Sequence, residues 1–330
     1  MKRTTLADIG NLVGVDPSVV SRVIREDPAL SIRPETRKKI REAIEKLGYH
    51  PNALAQNLRQ SRSGAFGMFV PDFANPIFAE IIRGADRASA AAGAVLVTGE
   101  TAHGGYLELA RSGRLDGLLL VSDDVGGSEM DELDSIGVPW LLVNRQEYGR
   151  RCLIIDDEKG ARAAVDGMLA LGHTSIGHIS GPAYSDTASR RALGFRNALT
   201  EAGLPSDAAV SAEYSAASGS VAAPLLLASF PDVTAIVVSN VMGAIGALAG
   251  LHKAGVRVPQ DVSIVAIHDF DLAEQLVPRL STVRMPLAQL GSRGIEVLAG
   301  APLKNPMILG PIELILRDSS TSITSEPPAP

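Results

Sequence analysis

Eight short apolar runs, separated by segments of helical pattern, constrain what this chain can fold into more than any other feature. They are AFGMFV (65–70), AVLVT (94–98), GLLLVS (117–122), WLLVN (140–144), CLIID (152–156), IGHIS (176–180), AIVVSN (235–240) and VSIVAIHD (262–269). Strands that are apolar on both faces must be covered on both faces, which calls for parallel sheet with helices on either side. Ile77–Ala92, Gly160–Leu171, Arg190–Ala202 and Val241–Ala254 supply helices between them. The turns LGH (171–173), AGL (202–204) and AGV (254–256) read as helix ends leading into the next strand. About eight to ten such units exceed one comfortable sheet. The pattern therefore predicts an α/β body of two doubly wound parallel-sheet subdomains facing one another across a cleft, with ligands at the carboxyl ends of the strands.

The first fifty residues have a different texture. In TLADIGNLVGVDPSVVSRVI, Leu6, Ile9 and Val13 recur at helical spacing and form one buried stripe. Gly14 permits a tight turn, and Asp16 followed by Pro17 is a helix start. Val19, Val20, Val23 and Ile24 give the second helix an apolar face, leaving Ser18, Ser21, Arg22 and Arg25 outside. A third helix begins at Pro34, carries Ile40, Ala43, Ile44 and Leu47 on one face, and stops at Gly48. Short helices joined by a glycine turn, with small polar and basic residues exposed on the second, describe a helix-turn-helix that can enter a DNA major groove.

Charge separates the same two parts. Residues 1–62 hold 12 Lys+Arg against 7 Asp+Glu, whereas residues 63–330 hold 19 against 30. A basic head on an acidic body suggests that only the head approaches phosphates. The single cysteine, Cys152, excludes an internal disulfide and fits a reducing cytosol as a buried structural thiol. No run approaches the ~20 apolar residues of a membrane helix, and MKRTTLADIG lacks the apolar core of a signal peptide. An enzyme would need a nucleophile–base set or a phosphate loop. The sequence has no G-x-G-x-x-G after a strand, no G-x-x-x-x-G-K-[ST] and no G-x-S-x-G, and His173 and His178 lack metal-ligand spacing. His173, in LGHTSIGH, reads as a helix-end cap. No enzyme activity, cofactor or metal is expected.

The order of parts resembles the lactose-repressor and galactose-repressor family of bacterial transcription regulators over essentially the full length. The matching pieces are TLADIGNLVGVDPSVVSRVI, RPETRKKIREAIEKLGYHPNALAQNLR, FGMFVPDFANPIFAEIIRGAD, RLDGLLLVS, ALGHTSIGHISGP, RRALGFRNAL and VPQDVSIVAIHDFDLAEQLVPRLSTVRMPLAQLG. The resemblance implies base reading by Pro17, Ser18 and Arg22, with Arg22 able to bond a guanine edge bidentately. It places Thr5, Ser21 and Arg25 at phosphates; Val19 and Arg25 stand where the family usually has Thr and Asn. Asn52–Arg59 resembles the family's hinge helix, with Leu58 in the place of a side chain that wedges into the minor groove.

The resemblance further implies an effector in the cleft, at Asp72, Asn75, Ile77, Phe78, Ser122, Asp123, Asn144, Arg145, Arg191, Asn240, His268 and Asp269. Two positions depart from the family: its Asn-Asp pair is Asn240-Val241 and its Asp-Asp pair is His268-Asp269. Losing two carboxylates while Arg145 and Arg191 remain points to an acidic metabolite, such as a sugar acid or phosphorylated sugar, with His268 a further donor if protonated. A neutral sugar held by Asp72, Asp123, Asn240 and Asp269 is the competing expectation. The expected organisation is a headpiece at 1–50, hinge and linker at 51–63, effector-binding and dimerisation body at 64–318, and a disordered tail at 319–330. The expected function is a cytoplasmic repressor, homodimeric because the tail lacks the heptad helix of the family's four-chain members. It would bind a palindromic double-stranded operator under control of a small carbohydrate or acidic sugar derivative.

Overall fold

Thr5 starts the first helix, α1 (Leu6–Val13), through a reciprocal cap: its hydroxyl accepts the Asp8 N–H, and the Asp8 carboxylate accepts the Thr5 N–H at 2.8 Å. Gly14 ends α1 at φ +76°, a conformation an L side chain resists. Asp16 then caps α2 (Pro17–Ile24) by accepting the Ser18 N–H at 2.8 Å. The third helix, α3 (Pro34–Lys46), packs Ile40 and Ala43 against Ile9, Val20 and Val23 in a small core of their own. The computed structural model describes residues 4–49, 62–121, 125–304 and 306–323. The chain divides into two units, Met1–Ser63 and Gly64–Pro330.

The second unit begins with β1 (Ala65–Val70), α4 (Pro76–Ala91), β2 (Val95–Glu100), α5 (Gly105–Arg111), β3 (Gly117–Leu120), α6 (Gly127–Ile136), β4 (Trp140–Val143) and β5 (Cys152–Ile155). It continues with α7 (Asp157–Ala170), β6 (Ile176–Ser180), α8 (Asp186–Glu201), β7 (Ala209–Ser211), α9 (Ala216–Ser229), β8 (Ala235–Val238), α10 (Val241–Lys253), β9 (Ser263–Ile267) and β10 (Ser281–Arg284). Last come α11 (Leu287–Leu298), β11 (Met307–Leu309) and β12 (Glu313–Ile315).

These strands form two sheets, ordered β11-β5-β4-β3-β1-β2 and β12-β10-β9-β8-β6-β7. Every pairing is parallel except β10 with β12. Each sheet reverses its winding beside its first strand, at β1/β3 and at β6/β8, so each opens a crevice at the carboxyl ends of those strands. The chain crosses between sheets after β5, after β10 and after β11. Along β1, Phe66, Met68 and Val70 join one core cluster while Ala65 and Phe69 join another, so both faces of the strand are buried. Helices cover them closely: a Cβ on Gly291 of α11 would lie 1.9 Å from the Ile81 carbonyl of α4.

One expectation fails here. The polar segment Ser319–Ile323 is not disordered. Ser319 is buried, its Oγ donates to the Ile264 carbonyl at 2.7 Å, and its carbonyl accepts the Ile264 N–H at 2.7 Å. The Ile323 N–H donates to the Leu171 carbonyl at 2.9 Å. His173 does not cap a helix with its ring, which instead meets Thr234 Oγ1 at 2.9 Å and the Thr321 carbonyl at 3.0 Å, pinning this segment. Residues 324–330 lie outside the described residues.

Candidate nucleic-acid interface and effector cleft

The apolar side of α2 is fixed by the headpiece core, so its other side is set by elimination. Pro17, Ser18, Arg22 and Arg25 are exposed and Ser21 is half-buried. Ser18 and Arg22 lie one turn apart, which suits adjacent base edges in a major groove. Thr5 is engaged otherwise than expected. Its hydroxyl donates to Asp8 Oδ2 at 2.7 Å, so a phosphate there would meet the N-terminus of α1 that Thr5 completes, not an idle hydroxyl. Asn52 and Leu58 lie outside the described residues.

In the second unit, the two crevices face a common cavity of about 360 Å³. The first sheet's side supplies Asp72, Asn75, Ile77, Phe78, Asn144 and Arg145, and the second supplies Arg191 and Asn240. Tyr184, Ser185, Thr187, Glu213 and Tyr214 also line it, all absent from the expected set. Glu213 and Tyr214 follow the three-residue strand β7, too short and too exposed to announce itself in the sequence. Ser122 and Asp123 lie outside the described residues. The Gln146 N–H donates to Asp186 Oδ2 at 2.8 Å, a direct link between the two sides.

Arg191 is 2% exposed, and its guanidinium is held on every nitrogen. Nε donates to Asp157 Oδ1 at 2.7 Å, Nη1 donates to the Ser239 carbonyl at 2.7 Å, and Nη2 lies 3.2 Å from His268 Nε2. Its carbon sits 5.9 Å from the centre of the Tyr214 ring. Arginine can only donate, so His268 Nε2 accepts and the imidazole proton resides on Nδ1. Burial, and then the Arg191 charge, lower the His268 pKa to about 3, the Asp157 charge opposing them. His268 is therefore neutral and stands behind Arg191, outside the cavity lining. This corrects its expected role as a protonated effector contact.

Asp269 is a second correction. Thr282 Oγ1 at 2.6 Å, Arg317 Nη1 at 2.8 Å and Arg284 Nη2 at 2.8 Å hold its carboxylate away from the cavity. The carboxylate that matters is Asp157, which was not anticipated. It is fully buried, with Arg190 Nη2 at 2.5 Å on its other oxygen. Burial acts to raise its pKa, but the Arg191 and Arg190 charges and the Arg190 hydrogen bond outweigh that and hold the carboxyl below its ordinary value. Arg145 is likewise paired, Nη2 donating to Glu147 Oε2 at 2.6 Å and Nη1 to the Val125 carbonyl at 2.9 Å. Two guanidinium groups do reach the cavity, but each arrives with its own counter-charge. The argument for an anionic effector loses its basis.

Two amides have unfilled positions. Asn240 Oδ1 accepts the Gly243 N–H at 2.8 Å, and the buried Nδ2 has no partner among the described residues. Asn144, at φ +63°, buries an Oδ1 that also has none. Both residues line the cavity, but these two atoms are themselves buried.

Residues 5–52 match the model described as bacterial regulatory proteins, lacI family, and residues 165–320 match the periplasmic binding protein-like domain. Catabolite control protein A of Priestia megaterium is 30% identical over 304 residues, 89% of this chain and 91% of its own length. The chain belongs to the lacI family. Its lacI-family architecture extends to solved structures. The lac repressor dimer bound to operator and the anti-inducer ONPF superposes with a TM-score of 0.84 at 26% identity, covering 97% of this chain and 100% of its own. A complex of the transcriptional regulator CelR with cellobiose gives 0.72 at 28% identity, covering 96% and 100%. This lacI-family chain is therefore a ligand-binding transcription regulator with a DNA-binding headpiece, and not an enzyme. Among the described residues no helix is long and apolar enough to cross a membrane.

Proposed function

We propose that the protein is a cytoplasmic, homodimeric repressor whose operator affinity is set by a small, neutral, polyhydroxylated metabolite bound between the two sheets. The observation that carries the effector class is the internal charge balance of the cavity, with Asp157 against Arg191 and Glu147 against Arg145. A hydroxyl both donates and accepts, so a polyhydroxylated ligand suits the mixture of amide, hydroxyl and carboxyl side chains that line the cavity. The related CelR binds cellobiose, which is of this class. Asp72, Asn75, Phe78, Arg145, Arg191, Asn240 and Asn144 are the contacts proposed on the described residues, and Ser122 and Asp123, outside the described residues, are proposed with them.

At the DNA, Pro17, Ser18 and Arg22 read base edges, Ser21 and Arg25 contact phosphates, and Asn52 and Leu58 act from the hinge. Two-fold symmetry of the protein imposes a near-palindromic operator. Closure of the cleft around the effector changes how the subdomains meet, and a coupling of about 1–3 kcal/mol between the sites is typical.

Thermal-shift screening of matched pairs, each a sugar with its uronic acid or phosphate, tests the effector class. The neutral member should stabilise the protein more in every responsive pair. A charged member that binds more tightly than its parent would overturn the reading in favour of an anion gripped by Arg145 and Arg191.

A further inference from the structure

We infer that Asp27 is a specificity-determining residue of the headpiece, holding Arg22 by its Nε so that the two terminal guanidinium nitrogens face a base edge as a fixed fork. The inference rests on Arg22 being a base-reading residue.

An arginine on an exposed helix face is ordinarily free to swing, and it reaches a phosphate as readily as a guanine. Arg22 is not free. Asp27 Oδ2 accepts from Arg22 Nε at 2.7 Å, and Asp27 Oδ1 accepts the Ala29 N–H at 2.9 Å. The backbone fixes Asp27 as well. Its N–H donates to the Arg22 carbonyl at 3.1 Å, and its carbonyl accepts from the Leu30 N–H at 3.1 Å, Leu30 being part of the headpiece core. Asp27 therefore cannot turn away without breaking the turn that follows α2.

The point of attachment decides the consequence. Bound side-on at Nε, the guanidinium keeps Nη1 and Nη2 clear of hydrogen bonds among the described residues. Those two groups are what an end-on bidentate contact offers to guanine O6 and N7. Asp27 also puts a negative charge beside Arg22, which disfavours a phosphate oxygen at the same spot. Orientation favours the right base, and charge disfavours sequence-independent binding. Both raise the ratio of operator to random-DNA affinity.

The test uses the full-length protein, Asp27→Asn, Asp27→Ser and Arg22→Ala. Each is put through selection from a random-sequence duplex library, then titrated against the selected site and an unrelated duplex across a salt series. The Asn variant keeps the shape and an oxygen for the Ala29 N–H, but sets an NH₂ against Arg22 Nε. The Ser variant keeps the turn oxygen and is too short to reach Arg22, so it decides the matter should the first misfold. Both variants should lose base preference at one symmetric position per half-site, by about five-fold or more, while binding to the unrelated duplex tightens. A role limited to folding would weaken both duplexes alike, and that outcome overturns the inference. So does unchanged preference at the position that Arg22→Ala abolishes, which leaves Arg22 a reader without a guide. If Arg22→Ala alters no base preference, the base-reading assignment itself fails.

Discussion

Asp157→Ala is expected to destabilise the second unit by about 3–5 kcal/mol, the usual result of removing one partner from a buried ion pair. Asp157 has no exposed side-chain surface, and the arginines it joins are 2% (Arg191) and 12% (Arg190) exposed. Arg190 retains Asp186 after the substitution. Arg191 keeps the Ser239 carbonyl and His268 but has no counter-charge, and a guanidinium at this depth does not deprotonate and is poorly hydrated. For a domain of this size the melting temperature should fall by roughly 10 °C. Asp157→Asn, which preserves shape and one acceptor, separates the charge from the cavity left by truncation. Thermal and urea unfolding of both variants measure the effect. A loss under about 1 kcal/mol for the alanine variant would show that Arg191 does not depend on Asp157. The pairing would then supply no reason to expect a neutral effector.

How far the sequence carries such conclusions depends on the range of the interaction. Seven of the eight apolar runs appear as strands because they are buried on both faces and so read as apolar throughout, whereas β2, at a sheet edge, is only partly covered. The strands that escape notice are short or polar. β7 and β12 have three residues each, and β10 (STVR) buries Ser281 and Thr282. Those hydroxyls are acceptable inside because Ser320, Arg317 and Asp269 pair with them, partners no local pattern reveals. The same holds for Ser319–Ile323, whose composition suggests disorder until Ser263, Ile264 and Leu171 are known to lie beside it.

In the cleft, Arg191 was legible from its place in RRALGF, whereas its charge state as a binding group was not. Asp157, which sets it, lies 34 residues earlier on another helix. Asp269 resembles a cleft carboxylate in the sequence because Arg317, which claims it, lies 48 residues later. The headpiece was the most legible part, since its caps, turn glycine and core stripe are encoded within a few residues of one another.

Acidification should cost the folded protein about 5 kcal/mol between pH 6.5 and 4.5, a large share of the 5–15 kcal/mol that stabilises a typical domain. Two histidines carry most of the effect, both with pKa values lowered to about 3, and His173, whose pKa burial also lowers, adds to it in the same direction. Burial is the main cause in each. The charges of Arg196 and Arg191 add to it at His178, and that of Arg191 at His268. His178 is stacked on Phe195 with ring centres 4.6 Å apart and holds Ser239 Oγ at 2.9 Å, while His268 accepts from Arg191. In the unfolded chain both titrate near 6.5. Below that pH the unfolded state binds more protons than the folded one, so stability rises with pH. The contribution is fully present above about pH 6.5 and is lost toward pH 3, at about 1.4 kcal/mol per pH unit for each histidine. Asp157 acts in a separate, lower window. Its depressed pKa gives stability that is present above the unfolded value near 3.9 and lost only as pH falls through the folded one. Urea-unfolding midpoints measured from pH 7.5 to 4.5 should therefore fall steadily, and His178→Asn with His268→Gln should flatten the slope. The imidazole proton shifts of both residues should stay constant from pH 7 to 5, and titration of either near 6.5 in the folded protein would refute the account. Because His268 stays neutral over that range, its lone pair on Arg191 persists. Effector affinity should then be independent of pH between 6 and 8, a result that a protonated His268 gripping an anion would not give.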